Sequence, residues 1–86
     1  MSTNSFADRV RDAVRRIPRG ETRSYGEVAR AVGHPGAARA VGTILKKNYD
    51  PSVPCHRVIR ADGTLGAYNR GEERKRKLLQ EEGALA

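Results

Sequence analysis

Cys55 is the single cysteine of the chain, and it stands beside an imidazole in the run Pro54-Cys55-His56-Arg57-Val58. A thiol reacts as the thiolate, and a free pKa of about 8.5 leaves only a small fraction ionised at neutral pH, so a nucleophilic Cys55 needs a base or a positive field. His56 is next in sequence, but neighbours on a strand point to opposite faces. A bridging water is therefore the natural link between thiol and ring. The imidazole in turn needs a third group to fix its tautomer and stabilise its charge, which a carboxylate from the last helix can supply. No second thiol is present for a disulfide, and three further ligands for a structural zinc are hard to find. A lone cysteine in a small domain is usually a buried hydrophobe, so the weight falls on what surrounds the pentapeptide.

The elements that must position Cys55 can be read from both sides of it. Pro51 and Pro54 make 48–54 a loop, since two prolines in four residues block regular structure. Arg57 to Arg60 suits a short strand, Ala61-Asp62-Gly63 is a turn signal and Thr64 to Tyr68 is its return partner, so a hairpin is expected beside the thiol. Upstream, Ser5-Phe6-Ala7-Asp8 has capping-box spacing with Asp in place of the usual Glu or Gln. Phe6, Val10, Val14 and Ile17 then recur at helical spacing until Pro18-Arg19-Gly20. The arginines of this first helix fall mostly off that stripe and read as a solvated face. Ser24 and Glu27 form a second capping box, with Val28, Ala29 and Val32 as an apolar face. Gly33-His34-Pro35-Gly36 is a break, and a third helix runs from Ala37 to near Asn48. Two short helices joined by a glycine-containing turn read as a helix-turn-helix. Glu72 to about Glu82 reads as the last helix, with Leu78 and Leu79 inward and Gly83 as its stop. The expected fold class is mainly α: a small winged helix-turn-helix-like domain with a short β-hairpin near Cys55. Residues 1–4 are expected as a disordered tail and 5–86 as one domain.

Eighty-six residues bury only roughly 60% of their unfolded surface, which leaves a small core and no room for a deep cofactor domain. Seventeen Lys and Arg against ten Asp and Glu give a net charge of +7. Such an excess on a small domain points to a polyanionic partner. Ala37, Ala38, Ala40 and Gly42 make the third helix thin, with Arg39 standing out of it; a thin helix suits close approach either to another helix or to DNA. No apolar run approaches the ~18 residues of a membrane span. Met1 to Ser5 lacks the charged and apolar parts of a signal peptide. An intracellular protein with a reduced thiol is the expectation.

Pro54-Cys55-His56-Arg57-Val58 resembles the active-site motif of the O6-alkylguanine-DNA alkyltransferases. The likeness extends beyond it. Ser24-Tyr25-Gly26-Glu27-Val28-Ala29 resembles that family's first helix-turn-helix element, and Ala37-Ala38-Arg39-Ala40-Val41-Gly42 its recognition helix. Asn48, the prolines before Cys55, Asp62-Gly63-Thr64-Leu65, Tyr68 and Leu78-Leu79 through Glu82-Gly83 follow in order, so residues 5–83 are covered. The resemblance implies DNA repair by direct, single-turnover transfer of an alkyl group from guanine O6 to Cys55, after the base leaves the duplex through the minor groove. His56 would take the thiol proton through water and Glu82 would orient His56. Asn48 would tie the helix-turn-helix to the active-site loop, and Tyr68 would help protonate the departing guanine. Tyr25 would crowd the 3′ phosphate, Arg39 would enter the stack, and Ala37, Ala38 and Gly42 would lie against the groove. Val58, through its carbonyl, is expected at the guanine pocket with Asn69 and Lys75. No cofactor and no metal are implied. The implied partner is double-stranded DNA containing O6-alkylguanine, met by a monomer in the cytoplasm, or at the nucleoid in a prokaryote.

The sequence departs from the family's pattern in two ways. The N-terminal α/β domain that most members carry has no counterpart, so the catalytic and DNA-binding part is expected to stand alone. Asn69-Arg70-Gly71 follows Tyr68 where many relatives have small residues, which puts Arg70 at the pocket rim, narrowing it or meeting a phosphate. A different reading is an alkyltransferase-like protein, which flips alkylated bases without accepting the alkyl group. Those proteins generally carry another residue, often Trp, where Cys55 stands, so the thiol favours the enzyme. A generic helix-turn-helix regulator with a structural cysteine leaves Cys55, His56, Tyr68 and Glu82 unexplained together.

Overall fold

A computed structural model of the chain describes residues 5–66, 68 and 70–85, so the expected tail and Asn69 lie outside the described residues. Within them run α1 (Phe6–Arg15), β1 (Arg23–Ser24), α2 (Tyr25–Ala31), α3 (Ala38–Lys46), β2 (Val58–Ile59) and α4 (Glu72–Glu81). A single 3-10 turn, Cys55–Arg57, precedes β2. Among the described residues no helix is long and apolar enough to cross a membrane.

The first two helices start where local chemistry dictates. The Ser5 hydroxyl accepts from the Asp8 amide at 3.1 Å and the Asp8 carboxylate accepts from the Ser5 amide at 3.4 Å. The same exchange joins Ser24 and Glu27 at 3.0 and 2.8 Å, tighter because Glu reaches back further than Asp. Two of the four amide groups that a helix start leaves without partners are satisfied in each case. α3 has no such device: Ala37 is its N-cap and makes no side-chain bond. Burial holds it instead, since Val41 and Leu45 pack into one cluster with Val10 and Val14 of α1 and Val28 and Ala29 of α2. Cys55 and Val58 belong to the same cluster, so the thiol is built into the edge of the core.

The mainly α class and the paired helices α2 and α3 are as expected; the hairpin takes another form. The chain does turn at 61–63, where the Gly63 amide donates to the Arg60 carbonyl at 3.0 Å and the Arg60 amide to Thr64 at 2.9 Å. The ladder among the described residues is nevertheless parallel, β1 with β2, pairing Arg23 with Val58 and Ser24 with Ile59. After the turn the chain passes the Tyr25 ring at Gly66, whose φ is +75°. A Cβ there would stand 3.2 Å from the phenol oxygen, so a glycine is needed for both conformation and space. The parallel pairing has a consequence for the site: it sets the start of α2, and with it Tyr25, beside the strand that follows Cys55.

Ser24→Ala removes the α2 cap from the residue that also carries the ladder. It should lower stability by about 1 kcal/mol, read as a lower urea midpoint with unchanged slope.

Candidate active site

Glu82 is the C-cap of α4, and its side chain is only 6% exposed. Its Oε2 lies 2.9 Å from His56 Nε2 and accepts from Arg57 Nη2 at 2.9 Å, while Oε1 accepts from Arg57 Nε at 2.9 Å. The guanidinium also donates through Nη1 to the Ile17 carbonyl at 2.8 Å. The bond from Arg57 is the main reason the Glu82 carboxyl is held down at about 2; burial opposes it, and the bond from His56 adds to it. An ionised carboxylate only accepts, so Nε2 must donate. A neutral His56 then presents Nδ1 as its free basic nitrogen.

Cys55 and His56 sit together on the 3-10 turn, not on a strand, and both are buried. No hydrogen bond joins them among the described residues. The Asn48 amide donates to the Asp50 carbonyl at 3.2 Å and lies 3.9 Å from Cys55 Sγ, so it ties the end of α3 to the active-site loop. Arg15 of α1 holds that loop from outside, through Asp50 at 3.4 Å and Ser52 at 3.3 Å. Tyr68 meets the His56 ring edge-on, with centroids 6.5 Å apart. Burial raises its phenol pKa, the Cys55 charge raises it further, and Arg70 and Arg74 pull the other way. Cys55, His56 and Tyr68 open on a cavity of about 230 Å³ that Asn48, Pro51, Arg70 and Arg74 help to line.

Lys75 is fully buried. Its ammonium donates to the Val58 carbonyl at 2.6 Å and to the Tyr25 hydroxyl at 3.4 Å, and lies 5.6 Å from the centre of the Tyr25 ring. Burial is the main cause that pushes it down to about 8. The Val58 carbonyl expected to read guanine thus already serves a cation. Tyr25, Ala38, Arg39 and Gly42 share a second cleft of about 600 Å³ with Thr43, Lys46 and Arg60. A Cβ on Gly42 would meet the Tyr25 ring at 3.8 Å.

The expected residues therefore gather mostly as two groups, the thiol pocket and a basic cleft over α3; Val58 and Lys75 line neither, and Lys75 bonds the Val58 carbonyl to Tyr25 of the cleft. Ala37 does not join the cleft; it is the cap of α3 and packs toward the core. Arg57 is the main residue that the sequence reading left without a role, although it stands inside the active-site motif. Its partner lies 25 positions away, and no local signal announces the pairing. Lys46 and Arg60 on the cleft were also missed. Lys46 falls one turn beyond Gly42 on α3, a spacing that could have found it.

Comparison with known proteins gives a single pattern. Residues 5–84 match the family described as 6-O-methylguanine DNA methyltransferase, DNA binding domain. The chain is 54% identical over 84 residues to the methylated-DNA–protein-cysteine methyltransferase of Mycobacterium tuberculosis, covering 94% of this chain and 50% of that protein. The structure of Mycobacterium tuberculosis OGT in complex with DNA superposes with a TM-score of 0.87 at 52% identity, again over 94% of this chain and 50% of the other. That of S. pombe ATL in complex with DNA gives 0.84 at 43% identity, over 96% of this chain and 80% of the other. The chain thus spans about half the length of the curated relatives it matches.

The Glu82 cluster predicts an acid response. Its folded pKa of about 2 lies below the ordinary 4.5, so its ionised form stabilises the fold above the ordinary value, and that contribution is lost as pH falls through the folded one. Arg57→Gln removes the largest cause. Carboxyl NMR should show Glu82 titrating at higher pH in the variant, and circular dichroism should show acid unfolding starting earlier.

Proposed function

Because the chain belongs to the 6-O-methylguanine DNA methyltransferase family, with a match spanning residues 5–84, we propose that it repairs double-stranded DNA by moving an alkyl group from guanine O6 to Cys55. The observation that carries this reading is the buried Glu82–His56 pair, 2.9 Å apart, which anchors the turn that holds the thiol on the lining of a cavity. His56 accepts the thiol proton through water, and Glu82 stabilises the imidazolium. Sγ attacks the alkyl carbon and the carbon–O6 bond breaks. Its electron pair stays with guanine, which Tyr68 helps to protonate. The product is a thioether with no route back to the thiol, so each molecule acts once, and no cofactor enters.

A base inside a duplex cannot present this carbon to a protein side chain, so the nucleotide must leave the stack. The cleft beside the thiol pocket suits that step. Arg39 is exposed on α3 and fills the vacated position. Tyr25 abuts Gly42, stands at the edge of the same cleft and crowds the phosphate. The Val58 carbonyl reads the extruded guanine edge, and Ala38 and Gly42 let the helix sit close in the minor groove. Readout there is degenerate, which suits damage recognition in any sequence, and the +7 charge supplies salt-sensitive affinity for the backbone. A reaction that consumes a reduced thiol on DNA argues for the cytoplasm as its setting. The likeness to S. pombe ATL over 80% of that chain favours one other reading, recognition without transfer; Cys55 is the residue that separates the two.

Duplex DNA carrying one O6-methylguanine should add a single methyl group to the intact mass of the protein, and Cys55→Ser should abolish the gain. Tight binding with no mass change would select the recognition reading. Arg39→Ala should slow reaction with the duplex by at least about tenfold while sparing reaction with the free methylated base, since only the duplex requires extraction. Equal losses would remove Arg39 from base flipping.

A further inference from the structure

Two guanidinium groups at the mouth of the thiol pocket have no part in the reaction just described. Arg70 and Arg74 line the cavity with Pro51 and Tyr68 on the way to Cys55. Both are exposed, and neither makes a hydrogen bond or ion pair among the described residues. Arg57, the third guanidinium on the lining, is committed to Glu82. Asp50 is the carboxylate on the lining, and it is already held by Arg15 and by the Ser52 amide. Glu72 and Glu73, beside Arg74 on the first turn of α4, do not line the cavity, and Glu72 turns to Arg76 at 3.5 Å. The cavity itself is small, about 230 Å³, enough for a substituent of a few heavy atoms. The pocket thus lines one cavity with a nucleophile and two exposed, fork-shaped cations that no protein group engages among the described residues, a set that suits a carboxylate.

We propose that Arg70 and Arg74 form a subsite for an anionic group at the end of the O6 substituent, which makes carboxyalkylated guanine a preferred substrate of Cys55. The inference rests on the alkyl-transfer reading. In the step, Sγ bonds to the methylene carbon as the methylene–O6 bond breaks, the electron pair stays on guanine, and the carboxylate ends unchanged on the new thioether. A thiolate approaching a carbon next to a carboxylate meets a like charge. Two guanidinium groups on that carboxylate remove the repulsion at the point where it would be largest. A methyl group gains nothing from them.

The same cations could instead meet a DNA phosphate, and the experiment separates the two sources. Single-turnover rates are measured for the full chain on duplexes of one sequence carrying either O6-carboxymethylguanine or O6-methylguanine. The wild-type, Arg70→Gln/Arg74→Gln and Arg70→Lys/Arg74→Lys proteins are compared, with the intact mass confirming transfer. The ratio of carboxymethyl to methyl rate should fall about tenfold in the glutamine variant, as expected for lost charge-assisted bonds. It should be largely kept in the lysine variant. Because the ratio is read, any general loss of folding or DNA affinity cancels. An unchanged ratio overturns the subsite, and so does an equal fall on both duplexes, which reports a phosphate contact. Wild-type protein that transfers methyl but not carboxymethyl also overturns it. Transfer of neither group overturns the alkyl-transfer reading itself, and the subsite with it.

Discussion

The Glu82 carboxylate is where three distant stretches of this small chain meet. It closes the C-terminus of α4, binds His56 and Arg57 of the 3-10 turn, and through Arg57 reaches the Ile17 carbonyl beyond α1. A negative charge belongs at a helix N-terminus, not at the end where the carbonyls point. Enclosing it adds a desolvation cost of several kcal/mol. Both penalties are offset by one guanidinium that meets the two oxygens with two parallel bonds. The thiol turn is therefore held to α4 by the same contact that sets the tautomer of His56. Fold stability and the tautomer of His56 share one interaction, so neither can be altered alone.

Lys75 is its counterpart on the same face of α4. Positions 75, 79 and 82 follow one another at helical spacing, and all three are buried or nearly so: a cation, a leucine and an anion. The cation serves the Val58 carbonyl and Tyr25; the anion serves His56. One helix thus reaches β2 with one buried charge and His56 with the other. Its packing face is half charged for this reason. A hydrophobic pattern finds only Leu78 and Leu79 in it, while the charged positions look like solvent-facing ones.

What the sequence revealed follows the range of the forces involved. Both capping boxes lie within four residues and were legible in full, Asp8 included. The apolar stripes of α1 and α2 were legible because each alternates with charge at one period. The partner of β2 was not: the turn at 61–63 is a correct local signal, but β2 pairs with Arg23 and Ser24, far earlier in the chain, and no local pattern announces that pairing. The thiol's element was misread for a related reason. Val58 and Ile59 do form a strand, but the two proline residues before Cys55 lead into one tight turn first, which puts Cys55 and His56 on the same small element. The residue types at the site were readable from the motif; the Arg57–Glu82 and Lys75–Val58 contacts that fix their geometry were not, because their partners are 25 and 17 positions apart.

The two walls of the thiol pocket are restrained to different degrees, and the difference suits the work of each. His56 and Glu82 are locked by charge-assisted bonds away from solvent, so the proton acceptor keeps one orientation whatever occupies the cavity. The loop 48–54 is anchored at its ends by buried Asn48 and Val53, but between them it is held from outside by Arg15 through bonds that are exposed to solvent, and such pairs contribute little, about 0–1 kcal/mol. Tyr49, the exposed large hydrophobic residue, sits on this wall, while Arg70 and Arg74 stand at the rim with no bonds to break. Side chains on the rim can therefore shift at little cost, while the His56–Glu82 side stays fixed. A cavity with room for only a few atoms thus joins one rigid, charge-locked wall to one adaptable one.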